Sequence, residues 1–246
     1  MKRLLLIICL IMFTGCSNRN EQTTITVSAA ASLKDALTDI AKNYEKTHPH
    51  INIVYNFGGS GTLANQIQSG APADLFFSAS NKEMNRVIAA NAIHKKNTVS
   101  VLTNQLVIVS QQQLFSPEEL SAAHIRKIAV GTPETVPAGM YAKSALTEWH
   151  LWSQLTEKFI FTKDVRQVLT YVESGNVDAG IVYQTDALTS ELNRYPMDDK
   201  RDTPITYPLG IVTATKHFKE AQNFYNYLQS NQSKKVYDAY GFIVNS

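Results

Sequence analysis

Short apolar runs alternate along this chain with segments whose apolar residues recur at helical spacing. That alternation restricts the fold to an α/β class. Residues 24–29, 51–57, 73–78, 106–110, 127–131, 159–162 and 179–183 read as strands, and 205–214 reads as a longer one. Leu33, Leu37, Ile40, Ala41 and Tyr44 fall on one helical face after the first strand. Further helices are expected from Thr62 with Leu63 and Ile67, and around Met84, Val87 and Ile88. Others run from about Gly139 with Tyr141, Ala145 and Trp149, over Val165, Val168, Leu169 and Val172, and over residues 216–230. With 246 residues, 44% of them apolar and 18% charged, the chain can bury a core in one large domain or two ordinary ones.

The N-terminus reads as an export signal over residues 1–15. Lys2-Arg3 precedes an apolar run from Leu4 to Phe13, too short to span a bilayer and suited to a signal-peptide core. Thr14-Gly15-Cys16 follows, then a polar linker over 16–23. Small residues before a cysteine resemble a lipoprotein cleavage site, which would place lipid on Cys16; the alternative is ordinary signal-peptidase cleavage nearby. The chain is expected to be exported, periplasmic or at the cell surface, and to touch the membrane only through that anchor. The other cysteine, Cys9, lies inside the apolar run, so the mature chain has no internal disulfide. Cysteine-ligated zinc, iron–sulfur clusters and Cys–His catalysis are excluded. Without residues 1–15 the chain carries 21 bases and 21 acids, so the mature chain has no net charge to attract a nucleic acid.

Several expected strands end in a small-residue turn that opens a helix: Ala30-Ala31-Ser32, Gly58-Gly59-Ser60-Gly61 and Pro137-Ala138-Gly139. Lys163-Asp164-Val165 opens another. A helix start leaves backbone N–H groups unpaired and carries about half a positive charge. Small side chains let a ligand approach that backbone. One such turn alone is ordinarily just a cap, but four of them converging beyond the strand ends of an α/β sheet form a potential anion cradle.

Catalytic motifs are scarce. Gly58-Gly59-Ser60-Gly61-Thr62 lacks the final glycine of a nucleophile elbow and the Gly-Lys-Ser/Thr ending of a nucleotide-binding loop. His48-Pro49-His50 reads as a solvated turn rather than a metal site. The runs at 95–96, 198–202 and 234–235 read as solvated charge.

Taken together, Ala29-Ala30-Ala31-Ser32-Leu33, Phe57-Gly58-Gly59-Ser60-Gly61-Thr62-Leu63-Ala64 and Gly70-Ala71-Pro72-Ala73-Asp74-Leu75-Phe76 resemble the molybdate-binding periplasmic proteins of molybdate ABC transporters. So do Pro133-Glu134, Val136-Pro137-Ala138-Gly139, Tyr141-Ala142-Lys143, Asp164-Val165-Arg166, Gly180-Ile181-Val182-Tyr183 with Asp186-Ala187, and Tyr240-Gly241-Phe242. The resemblance runs in order over nearly the whole mature chain. It implies a two-domain, periplasmic-binding-protein-like fold of type II, with two α/β lobes joined by a hinge. Lobe 1 would be 24–103 plus 208–246 and lobe 2 would be 104–207, the chain returning near Tyr207-Pro208. It implies a monomeric, non-enzymatic solute-binding protein without a cofactor. That protein captures molybdate, and with it tungstate, and delivers the ion to the membrane permease of an ABC transporter.

By the same resemblance, the metal of the molybdate is held only through its oxygens. Ser32 and Ser60 would donate through hydroxyl and backbone N–H, Ala138 and Val165 through N–H, and Tyr183 through its hydroxyl. Molybdate is a tetrahedral dianion that offers only acceptors, so a site made only of donors rejects anions that carry a proton. Hydrogen bonds to a charged partner contribute roughly 1.5–3 kcal/mol each, enough for a dissociation constant between nanomolar and micromolar after ordering costs. The alternatives are a protein of the same fold for another oxyanion, such as sulfate or thiosulfate, and a secreted hydrolase using Ser32 or Ser60 as its nucleophile.

Overall fold

The computed structural model describes residues 22–197 and 204–245. The expected signal peptide, Cys9, Cys16 and the charge run at 198–202 lie outside the described residues. The chain begins with β1 (Thr23–Ala30), a 3-10 turn (Ala31–Leu33) and α1 (Lys34–Thr47). Then come β2 (Ile51–Gly58), α2 (Ser60–Gln68), β3 (Leu75–Phe77), α3 (Asn81–Ala89) and β4 (Ile93–Asn104). It continues through β5 (Leu106–Ser110), β6 (Ile128–Gly131), α4 (Pro137–Glu148), α5 (Trp152–Leu155), β7 (Phe159–Thr162) and α6 (Val165–Glu173). β8 (Ala179–Tyr183), α7 (Gln184–Ala187), β9 (Asn193–Pro196), β10 (Ile205–Val212), α8 (Phe218–Tyr227), α9 (Asn231–Ala239) and β11 (Ile243–Val244) complete it.

The strands form two mixed sheets, in the order β11-β4-β10-β3-β1-β2 and β7-β6-β8-β5-β9. In the first, β1 runs parallel to β2 and β3, so Ala30 lies beside Gly58, and Ala29 beside Phe77. In the second, β6 runs parallel to β7 and β8. Parallel pairing sends the loops that follow these strands to one end of each sheet, where the small-residue turns collect. Strands covered on both faces carry unbroken apolar runs. Leu75, Phe76 and Phe77 have no exposed surface, and Leu106 to Val109 are equally central in the second sheet. The expected helical faces pack inward: Leu37, Ile40, Ala41 and Tyr44 on α1, and Val165, Val168, Leu169 and Val172 on α6, are all buried.

The chain leaves the first sheet after Asn104 and is back in it at Ile205, which pairs with Asn104. Ile205, Thr206 and Tyr207 therefore pair within the first sheet, just before Pro208. Pro208 sits at a register shift within β10, a position that tolerates proline. The periodicity also missed β4, β9, α9 and β11. The middle of β4, from His94 to Thr98, is polar and part-exposed, which hides its strand character. In α9 only Ser233 and Tyr237 are buried, too few to mark a helical face, and the lysine pair at 234–235 rides on its outer side. Two helices begin earlier than expected, at Ser60 and Pro137. His48 stacks on Tyr44 at 4.0 Å, and among the described residues no group of three His, Cys, Asp or Glu side chains is placed to hold a metal ion. No described helix is long and apolar enough to cross a membrane.

Candidate functional site

All four small-residue turns meet at one cavity between the sheets. From the first sheet's side come Ser32, in the 3-10 turn after β1, Gly59 and Ser60 at the start of α2, and Ala79 after β3. From the other side come Val136, Pro137 and Ala138 at the start of α4, Val165 at the start of α6, and Tyr183 at the end of β8. The cavity is about 10 Å3, on the order of a single water-sized sphere. Its small size suits a compact ligand. Its lining includes no lysine, arginine, histidine or carboxylate.

The helix starts explain how such a lining can attract a charge. Ser60 and Val165 are the first residues of their helices and Ala138 is the second, so their N–H groups have no acceptor within the helix. Gly59 and Val136, at the cap positions of α2 and α4, provide no side-chain acceptor in their place. Those N–H groups and the helix dipoles give a cavity without formal charge a preference for an anion.

The serine hydroxyls are held by neighbours. Ser60 Oγ accepts the N–H of Ala79 at 3.0 Å, which leaves its own proton free to donate. Ser32 Oγ lies 3.0 Å from the hydroxyl of Tyr207, which in turn accepts from Asn104 Nδ2 at 3.2 Å. The contact holds the Ser32 side chain against Tyr207, with either hydroxyl able to donate. Burial, aided by the charge of Asp186, raises the pKa of Tyr207, so its hydroxyl stays protonated. Asn104 also donates to Thr185 Oγ1 at 2.9 Å, which ties the end of β4 to α7. Neither serine is engaged by an imidazole, the arrangement a serine hydrolase needs.

Two glycines let the halves meet. Gly61 N–H donates to Thr135 O at 2.8 Å across the cleft. A Cβ on Gly61 would lie 2.7 Å from Thr135 Cα, and one on Gly59 would lie 2.9 Å from the carbonyl oxygens of Lys163 and Thr135. Glycine is required here for backbone to approach backbone.

Beside the cavity, but not lining it, Arg166 Nη2 lies 2.5 Å from Asp35 Oδ2, and Arg166 Nε lies 2.8 Å from Asp186 Oδ1. Asp186 is fully buried, and that burial, opposed by the Arg166 charge, pushes its pKa up to about 7.

Thus Ser32, Ser60, Ala138, Val165 and Tyr183 line one cavity. Ala79 and the supporting pair Asn104 and Tyr207 were not foreseen. Nothing local in the sequence marks Ala79. A polar Asn shortly after Val101-Leu102 and a Tyr before a Pro are the only traces of the other two.

The family described as bacterial extracellular solute-binding protein matches residues 25–243. A Bacillus subtilis protein, provisionally named an ABC transporter substrate-binding lipoprotein, is 49% identical over 242 residues, covering 94% of this chain and 93% of its own length. The molybdate-binding protein ModA of Haemophilus influenzae is 38% identical over 230 residues, covering 89% of each chain. The fold matches that of the periplasmic molybdate-binding protein of Azotobacter vinelandii with a TM-score of 0.83, at 22% identity, over 90% of this chain and all of the other.

Proposed function

The chain belongs to the bacterial extracellular solute-binding protein family, and from that premise we propose that it captures molybdate or tungstate outside the cytoplasm and hands the ion to the permease of an ABC transporter. One observation carries the reading. The cavity combines serine hydroxyls with uncapped helix N–H groups from both sheets, and its lining contains neither a cation nor a carboxylate or imidazole that would take a proton from the ligand. Such a lining fits a small, fully deprotonated oxyanion.

In this reading Ser32 and Ser60 donate from hydroxyl and amide, Ala138 and Val165 from amide, and Tyr183 from its phenol. The halves carrying the two sheets are lobes that close on the ion about the crossings after Asn104 and before Ile205. No bond is made or broken, and no cofactor takes part. The protein works as a monomer, held at the membrane through lipid on Cys16, a role the lipoprotein name of the Bacillus subtilis relative supports. Sulfate has the same charge and acceptors but shorter bonds, so the donors cannot all reach it at once.

A thermal-shift series tests this. Molybdate and tungstate should raise the melting temperature strongly and sulfate little. A larger shift with sulfate would reassign the ligand, and no shift with any tetrahedral oxyanion would remove the transport reading.

A further inference from the structure

Among the described residues, one ion pair crosses between the halves of the molecule: Arg166 on α6 with Asp35 on α1. The other pairs stay within one half, and one of them is the second contact of the same arginine, to Asp186. Each member of this triad is close in sequence to a cavity residue. Asp35 follows Ser32 in the first turn of α1, Arg166 follows Val165, and Asp186 follows Tyr183. None of the three lines the cavity.

One guanidinium offers separate donor edges in a rigid plane. Its Nε lies 2.8 Å from Asp186 Oδ1, a charge contact without hydrogen-bond alignment, beside a buried carboxylate that would be costly to leave without a countercharge. That contact anchors the side chain to its own half of the molecule. Its outer nitrogen then reaches Asp35 with little rotamer freedom left to lose. An exposed ion pair ordinarily contributes little because two flexible chains must be ordered and water screens them. Here the arginine side chain is only 24% exposed and already pinned.

We propose that Arg166 is a clasp and Asp35 its catch. Arg166 acts as a positioning residue that holds the lobes together over a captured oxyanion and sets how long the ion stays, without touching it. This inference rests on the oxyanion-binding reading above. The clasp places attractive charge across the cleft while the ligand's own shell stays neutral, so residence time and selectivity are set by different residues. Because Asp35 belongs to the helix entered from Ser32, and Arg166 follows Val165, the contact also fixes the register of donors on opposite walls.

Removing Arg166 would leave Asp186 buried without its partner, so the test uses Asp35→Asn, with Asp35→Glu as the conservative control. Binding of molybdate to the purified protein is followed by calorimetry and by stopped-flow fluorescence. Asp35→Asn should weaken binding about tenfold, equal to 1.4 kcal/mol, through faster release with little change in association. The same factor should apply to tungstate. Asp35→Glu should restore most of the loss, and the ligand-free melting temperature should not move. Added salt should speed release from the wild type more than from Asp35→Asn. An unchanged release rate in Asp35→Asn, or a loss confined to association, or an equal loss in Asp35→Glu, would overturn the clasp alone. A wild-type protein that binds neither oxyanion would remove the functional reading and the clasp with it.

Discussion

Two helix starts facing the cleft, those of α2 and α4, are built differently from those of α3 and α9. At α3 and α9 a serine at the cap position accepts from the first turn: Ser80 Oγ takes the N–H of Lys82 at 3.1 Å, and Ser230 Oγ that of Ser233 at 3.3 Å. At α2 and α4 the cap positions hold Gly59 and Val136, which offer no side-chain acceptor. The first pair satisfies part of its own backbone, whereas the second leaves helix-start N–H groups at the cavity without a side-chain acceptor. The contrast belongs to these four helices: α6 also opens at the cavity, yet Asp164 Oδ1 caps it by accepting the N–H of Gln167 at 2.9 Å, and α8, away from the cleft, has no side-chain cap.

Substitutions at both kinds of helix start test that division. The largest effect is expected from Gly61→Ala, which sets a methyl against the Thr135 backbone and keeps the lobes apart. Oxyanion affinity measured by calorimetry should fall by about a hundredfold or more, roughly 2.7 kcal/mol. Next, Ser60→Ala should weaken molybdate binding by roughly 1.5–3 kcal/mol. If affinity held, the hydroxyl would be a donor to nothing but the fold. Tyr207→Phe removes the hydroxyl that holds Ser32, and should cost about 1 kcal/mol of binding on titration with molybdate. The smallest change in binding is expected from Ser80→Ala. There, urea unfolding should show about 1 kcal/mol of lost stability while calorimetry shows unaltered affinity. A binding defect in that variant, or a purely stability-based defect in Ser60→Ala, would erase the distinction between the two sets of helices.

Much of this was legible in the residues. Unbroken apolar runs such as residues 106–110 mark strands buried on both faces, and the spacing of Val165, Val168, Leu169 and Val172 marks the inward side of α6. The four turns that frame the cavity announce themselves through small residues before a helical period. Harder to see was everything that depends on distant partners. β4 is a strand because β10 pairs with it, although its own middle is polar. Asn104 and Tyr207 support Ser32 only because the chain's departure from the first sheet and its return to it lie side by side. The roles of Gly59 and Gly61 changed as well. In the sequence they read as an opening for a ligand, and in three dimensions they are contact points between opposite walls.

The pairing of Asn104 with Ile205 has one more consequence. Everything from β5 to β9 enters and leaves the molecule at a single point, like a bead hung from a loop of thread. Excising that stretch and bridging the neighbouring ends with a short turn would leave β4 and β10 as an ordinary hairpin in an otherwise complete six-stranded sheet. The remaining half would keep Ser32 and Ser60 yet have no opposing wall, and would thereby isolate what a single wall contributes to capture.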